Sequence, residues 1–202
     1  MNKNGIESKI QIKPSTFLNP VPVVMVTCGT MEKSNIITLA WAGTVNSEPP
    51  MLSVSIRKER YSHDIIVKDG IFGVNLVSEN LIRATDYCGV RSGREIDKFS
   101  ELQLTKIAGS KTGVPLIGES PASLECRVKQ VIELGSHDLF LAEIENVIVS
   151  EELFDEKGTI DLRKAKLVAY NHGEYYALGN FLGFYGYSVA RKDALERRMR
   201  KN

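Results

Sequence analysis

Six consecutive residues, Arg57-Lys-Glu-Arg-Tyr-Ser62, bring two arginines, a tyrosine hydroxyl and a serine hydroxyl to the start of a helical stretch. Unpaired backbone N–H groups and the helix dipole favour an anion at such a place. Arginine grips phosphoryl oxygens in a two-pronged fork, so a phosphate is the ligand chemistry this run suits. The blander alternative is a capped helix with solvated basic neighbours. A second concentration is Asp86-Tyr-Cys-Gly-Val-Arg-Ser-Gly-Arg-Glu-Ile-Asp-Lys-Phe99, in which two glycines, a serine and further cations lie just past a predicted helix end. Gly89 and Gly93 would permit backbone conformations closed to other residues, exposing N–H groups to an anion or to the carbonyl oxygens of a ring. An ordinary helix stop and turn accounts for the same residues.

Other chemistry is poorly supported. Cys88 has cations near it in sequence, as reactive thiols do, but no histidine adjoins it, and it reads as packed and inert. His63, His137 and His172 are too dispersed for a metal-ligand spacing. His63 falls in the first turn of a helix, where the dipole disfavours a positive ring. His137 sits at a hairpin tip, as a turn residue or a pocket wall. No strand-linked Gly-x-Gly-x-x-Gly, no Gly-x-x-x-x-Gly-Lys-Ser/Thr and no Ser/His/Asp spacing is present.

The elements that must position these groups are mostly strands. Alternation predicts them over residues 21–28, 36–42, 51–57, 71–77, 123–134, 139–149 and 166–170. In two of them the faces differ sharply. Ile37, Leu39 and Trp41 alternate with Thr38, Ala40, Ala42 and Thr44, while Leu52, Val54 and Ile56 alternate with Ser53, Ser55 and Arg57. Period two puts these sets on opposite faces, the bulky one suited to a core and the small one to a flat ligand lying close to the backbone. Gly135-Ser-His-Asp138 is a compact hairpin signal between two long alternating runs, as in an antiparallel barrel or sandwich. Helices are predicted over 62–69, with Ser62 as N-cap and Gly70 as stop, over 78–87, and briefly over 95–99. Residues 103–120 read as a long loop, either a lid or a surface connection. The basic run 191–201 reads as a solvated helix or a frayed tail. The aromatic segment 170–187 is too dense for a free loop and suits a core cover or a subunit interface.

At 202 residues the chain is expected to form one domain, 1–202, with 1–13 and 191–202 as peripheral termini. A formal net charge of +1 gives no support to nucleic-acid or membrane-surface binding by bulk charge. Three widely spaced cysteines form neither a disulfide framework nor a zinc pattern, which suits a reducing, cytoplasmic setting. No apolar run approaches the roughly 18–20 residues a membrane helix needs.

At these residues the chain resembles the flavin reductase-like, FMN-binding split-barrel proteins, closest to the flavoredoxin and archaeal ferric reductase branch. The matching pieces begin with Asn19-Pro-Val-Pro-Val-Val-Met-Val-Thr27, Asn35-Ile-Ile-Thr-Leu-Ala-Trp41 and Glu48-Pro-Pro-Met-Leu-Ser-Val-Ser-Ile-Arg57. Arg60-Tyr-Ser62, Phe72-Gly-Val-Asn75, Asp86-Tyr-Cys-Gly89, Ser92-Gly93, Asp97-Lys-Phe99 and Gly135-Ser-His-Asp138 follow in order, spanning 14–187. The resemblance implies a mainly β fold, an antiparallel split barrel of Greek-key type, working as a homodimer with one FMN per subunit. It places the isoalloxazine against Thr38, Leu39, Ala40 and Trp41 and against Ser55, Ile56 and Arg57. Arg57, Arg60, Tyr61 and Ser62 would hold the phosphate and ribityl chain, with Cys88, Gly89, Ser92, Gly93 and Lys98 completing the cradle.

The implied chemistry is hydride transfer from NADH or NADPH to the flavin, with electrons passed to free flavin, a ferric complex or a partner redox protein. No side chain is obliged to act as acid or base, and His137 is the one side chain nominated to line the nicotinamide or acceptor site. Two alternatives stand beside this: an FMN electron carrier with little nicotinamide turnover, and a barrel binding module without redox work.

Overall fold

The computed structural model of the chain describes residues 9–199. Twelve strands and four α-helices alternate among them, and every strand pair is antiparallel. In chain order they are β1 (Val21–Pro22), β2 (Val24–Gly29), β3 (Ser34–Leu39), β4 (Ala42–Ser47), β5 (Pro50–Arg57), α1 (Tyr61–Asp69) and β6 (Ile71–Leu76). Then come α2 (Ile82–Val90), α3 (Lys98–Glu101), β7 (Lys106–Ala108), β8 (Pro115–Ile117), β9 (Ala122–Glu133) and β10 (His137–Val149). The chain closes with β11 (Val168–Asn171), β12 (Glu174–Ala177) and α4 (Lys192–Met199).

Seven strands form one curled sheet in the order β3-β2-β6-β9-β10-β5-β4. Consecutive strands β3 and β4 therefore stand at opposite edges, and the chain crosses the open seam at Ala40–Trp41. The Ser55 N–H donates to the Trp41 carbonyl at 3.0 Å, stitching the crossing to β5. This is the split of a split barrel: strands that would close the cylinder part company where the site lies.

The alternation expected for 51–57 holds, with Leu52, Val54 and Ile56 buried and Ser53 and Ser55 half-buried. These buried residues join Val24, Val26, Ile37, Phe72, Val74 and Phe140 in the barrel interior. A second apolar cluster lies outside the sheet, where Met25, Ile36, Leu81, Cys88, Phe99, Ile117 and Val168 pack under α2, α3 and β11. Each fully buried side chain of this size contributes about 1.5–3 kcal/mol over exposure.

Several expectations are corrected. The strand expected over 36–42 is broken: β3 ends at Leu39, and Trp41 leaves the bulky face to stand 44% exposed. Ser62 is not an N-cap; Arg60 holds that place with extended backbone and no capping side chain, while Ser62 lies buried inside the first turn. Gly70 does end α1, at φ 67° with its N–H on the Ile66 carbonyl. The helix expected over 78–87 begins with one 3-10 turn, Glu79–Leu81, and α2 continues to Val90, three residues further, because buried Ala84, Thr85 and Cys88 keep one face against the sheet. The short helix near 95–99 is shifted to Lys98–Glu101, capped by Asp97.

The 103–120 segment is no lid. It folds into the β7–β8 hairpin against the barrel, with Val114, Leu116 and Ile117 buried. The β9–β10 turn occupies 134–136, with Gly135 at φ 88°, so His137 and Asp138 already belong to β10. Tyr170 and Tyr175 pack against the outer cluster as a cover, but Leu178, Leu182 and Tyr185 beyond them are exposed. α4 buries none of its residues, which settles 192–199 as a solvated helix; residues 200–201 of the expected run lie outside the described residues.

Candidate functional site

The seam between β3 and β5 opens into two adjoining clefts. One, of about 310 Å³, sits at the start of α1. The other, of about 450 Å³, runs along the crossing at Trp41. Ile37, Arg60 and Val90 line both, so the two form one bent trough. Ligand pockets commonly have about 300–1,000 Å³.

The smaller cleft is strongly cationic. Arg60, Arg91, Arg94 and Lys98 line it, against Glu59 as its one carboxylate. Arg60 has no carboxylate within ion-pair distance among the described residues, and the uncapped first turn of α1 adds its free N–H groups. Arg94 lies over the Tyr61 ring, 5.2 Å from its centre, and donates to the Glu59 carbonyl at 3.2 Å. Arg91 faces Glu95 at 3.9 Å. Lys98 is nearly buried and donates to the carbonyls of Ile36 at 2.6 Å and Cys88 at 2.8 Å. Burial pushes its pKa down. Two of its three N–H bonds thus tie α3 to β3 and α2, and the third has no partner among the described residues.

The wider cleft is flat and mixed. Thr38, Leu39, Ala40 and Trp41 line it together with Ser55, Arg57, Gly89 and His137. The His137 ring stacks at a tilt on Trp41, centroids 4.7 Å apart. Burial, then the charge of Arg57, pushes its pKa below the ordinary value, so the imidazole is neutral at pH 7. Arg57 is half-exposed and pairs with Glu59 at 3.4 Å. Tyr175 donates to Asp86 at 3.2 Å, and burial followed by the Asp86 charge raises its phenol to about 12.

Fourteen of the fifteen residues nominated from the sequence line this trough: Thr38, Leu39, Ala40, Trp41, Ser55, Arg57, Arg60 and Gly89 on the wide side, and Arg60 again with Tyr61, Ser62, Cys88, Ser92, Gly93 and Lys98 on the cationic side. Ile56 does not; its side chain is fully buried in the barrel core, as strand alternation between Ser55 and Arg57 requires. Gly89 and Gly93 act otherwise than expected. Neither has positive φ, and Gly93 alone permits close approach instead. A Cβ on Gly89 would make only ordinary contact with Thr38 at 3.4 Å, whereas one on Gly93 would fall 1.9 Å from Asn35 Oδ1. Cys88 is packed, its thiol pushed up to about 11 by burial, and Cys28 and Cys126 rise to about 12 for the same reason.

Sequence reasoning missed Asn35, Arg91, Arg94, Tyr170 and Tyr175 as lining residues. The two arginines had a signal, their place beside Ser92 and Gly93; the tyrosines arrive from a hairpin about 80 positions away along the chain. It also missed a buried pair behind α1. His63 meets Asp138 at 2.8 Å, and Lys58 reaches the same carboxylate at 3.4 Å. Burial raises the Asp138 pKa, but the bonds from His63 and Lys58 outweigh that and hold it below its ordinary value. The pair pins the start of α1 to the start of β10, so both walls of the trough share one anchor.

An antiparallel barrel split at a basic, flat-floored seam is the architecture of a flavin-binding split barrel. Residues 17–179 match the flavin reductase like domain, and the chain belongs to that family. The flavoredoxin of Desulfovibrio vulgaris (Miyazaki F) is 33% identical, with a TM-score of 0.84 over 91% of this chain and 100% of its own. An FMN-binding protein from Thermus thermophilus, solved with bound 1-cyclohex-2-enone, is 26% identical with a TM-score of 0.72, over 88% of this chain and 98% of its own. A ferric-chelate reductase (NAD(P)H) of Archaeoglobus fulgidus is 30% identical over 49% of this chain and 58% of its own length. Among the described residues no helix is long and apolar enough to cross a membrane, and no cluster of metal-binding side chains occurs.

Proposed function

We propose that this chain is a single-domain FMN oxidoreductase that takes electrons from NADH or NADPH and passes them to an acceptor: free flavin, a ferric complex or a partner redox protein. The observation that carries the reading is the bent trough. One arm is a cationic cleft at an uncapped helix start, the other a slot where Thr38, Ala40, Ser55 and Gly89 lie among the rings of Trp41, His137 and Tyr175, and the two share Arg60. That donor set fits FMN. Arg60, Tyr61, Ser62, Ser92 and the free N–H of Lys98 suit the phosphate and ribityl chain, and Gly93 makes room beside them. The slot at Thr38–Trp41 and Ser55–Arg57 suits the ring. Ile56 lies behind it in the core.

When bound, FMN supplies a ring that accepts a hydride and releases electrons onward. This chain's residues position and tune it. Backbone N–H groups on the unpaired edge of β3 would suit the ring edge where negative charge gathers on reduction. Neutral His137, braced on Trp41, walls the side from which a nicotinamide would approach. His137→Ala is expected to leave FMN bound but slow its reduction by NADH or NADPH about tenfold through lost positioning, read by anaerobic stopped-flow absorbance.

We further propose a homodimer, supported by the exposed apolar residues Phe17, Leu18, Leu178, Leu182 and Tyr185 on the flanking segments. The electron-carrier alternative is favoured by the likeness to a flavoredoxin. Visible spectra taken anaerobically before and after each nicotinamide decide between them. Rapid bleaching of bound flavin is expected; bound flavin that stays yellow would establish the carrier, and a protein colourless after incubation with FMN would remove the flavin reading.

A further inference from the structure

We infer that Asn35 is the residue that aims the Ser62 hydroxyl at the phosphoryl group, an inference resting on the FMN reading above. Asn35 lies on β3 at the floor of the cationic cleft and is 3% exposed. Its Nδ2 donates to Ser62 Oγ at 2.8 Å. A hydroxyl offers one proton and two lone pairs. With one lone pair engaged from below by the amide, the Ser62 proton is directed elsewhere.

Two acceptors compete for that proton. The Cys28 thiol lies against Ser62, and burial raises it to about 12, so it stays neutral and is a weak partner. A phosphoryl oxygen held by Arg60 is far stronger, because charge-assisted hydrogen bonds are roughly twice as strong as neutral ones. Without the amide, Ser62 would be equally free to turn its lone pairs to the cleft, which present the wrong polarity to an anion.

Asn35 is itself held in place. A Cβ on Gly93 would sit 1.9 Å from its Oδ1 and 2.5 Å from its Cγ, so the amide is wedged against the Gly93 backbone. Gly93 lacks positive φ, and its glycine answers a need for space rather than for backbone freedom. Three segments therefore converge on one amide: β3 carries it, α1 presents the hydroxyl it orients, and the turn after α2 closes over it. Asn35 acts through Ser62 and is a positioning residue.

The test compares FMN with riboflavin, which lacks the phosphate, by quenching of flavin fluorescence. The proteins are the wild type, Asn35→Ala, Gly93→Ala, Ser62→Ala and the Asn35→Ala/Ser62→Ala double variant. Wild type is expected to prefer FMN strongly; Asn35→Ala should reduce that preference about tenfold with riboflavin affinity within about twofold, and the double variant should be no worse than Ser62→Ala. Gly93→Ala strains the end of a side chain rather than backbone. It should fold, displace the amide and reproduce the loss even if Asn35→Ala does not fold. A folded Asn35→Ala or Gly93→Ala protein keeping the wild-type preference overturns the inference, as does a double variant showing the product of both single losses. A wild type that binds both flavins equally overturns the phosphate assignment instead.

Discussion

The Arg60→Ala/Ser62→Ala variant should bind FMN more than about a hundredfold more weakly than wild type, from losing charge-assisted hydrogen bonds worth about 1.5–3 kcal/mol each. From sequence alone, Arg57 and Arg60 are equal candidates for a phosphate. The fold separates them. Arg57 lines the flat slot, is half-exposed and already faces Glu59, whereas Arg60 lines both arms and has no carboxylate partner among the described residues. Arg57→Ala should therefore weaken FMN binding by only a few-fold, as expected of an exposed charge worth about 0–1 kcal/mol. Ser62→Ala also strips the Asn35 amide of its acceptor, so a loss of about 1–3 kcal/mol in stability should accompany it. Wild-type affinity should fall as salt is raised, and the double variant should show a shallower dependence. Titration calorimetry at two ionic strengths measures both. Equal affinities in a folded double variant would place the phosphate elsewhere.

Acid should loosen the β7–β8 hairpin before it unfolds the barrel, and Glu125 is the reason. This carboxylate is fully buried on β9, yet it accepts from the backbone of Lys111 and Thr112, from the Thr112 hydroxyl and from Asn146. Burial pushes its pKa up, but these donors outweigh that and bring it from 4.5 to about 2. A folded value below the unfolded one contributes stability that is complete above about pH 4.5 and is lost as pH falls toward 2. At about 1.4 kcal/mol per unit, the contribution is on the order of 3 kcal/mol. Wild-type thermal midpoints should drop steeply between pH 4.5 and 2, while Glu125→Gln, lower at neutral pH, should decline less across that window. Parallel curves by circular dichroism would show that another group governs acid loss. Glu125→Ala should be the more damaging variant. It leaves the Lys111 and Thr112 N–H groups without an acceptor, at about 1–3 kcal/mol each. Gly109 packs 2.5 Å from this carboxylate at its would-be Cβ, so no larger residue suits that position.

The same buried carboxylate explains why residues 103–120 read as a loop. Their glycines and Pro115 are turn residues, and nothing local reveals that one distant side chain ties down three donors. Trp41 shows the converse. Alternation assigns it to the core with Ile37 and Leu39, and it would belong there if β3 ran on. The chain instead leaves one sheet edge for the other at Ala40–Trp41, a topological event with no signature in a period-two pattern.

What this sequence determines by itself is therefore local. It sets the alternating strands with their small and bulky faces, the basic run before a helix ended by Gly70, and the hairpin at Gly135. These follow from side-chain size, charge and backbone freedom over a few residues. The tertiary structure alone decides which of two arginines stands free, that Asn35 lies beneath Ser62, that Tyr175 walls the slot, and that His63 meets Asp138. Those pairings join residues 27 to 89 positions apart, and they exist only because the barrel's curl brings its edges to one seam.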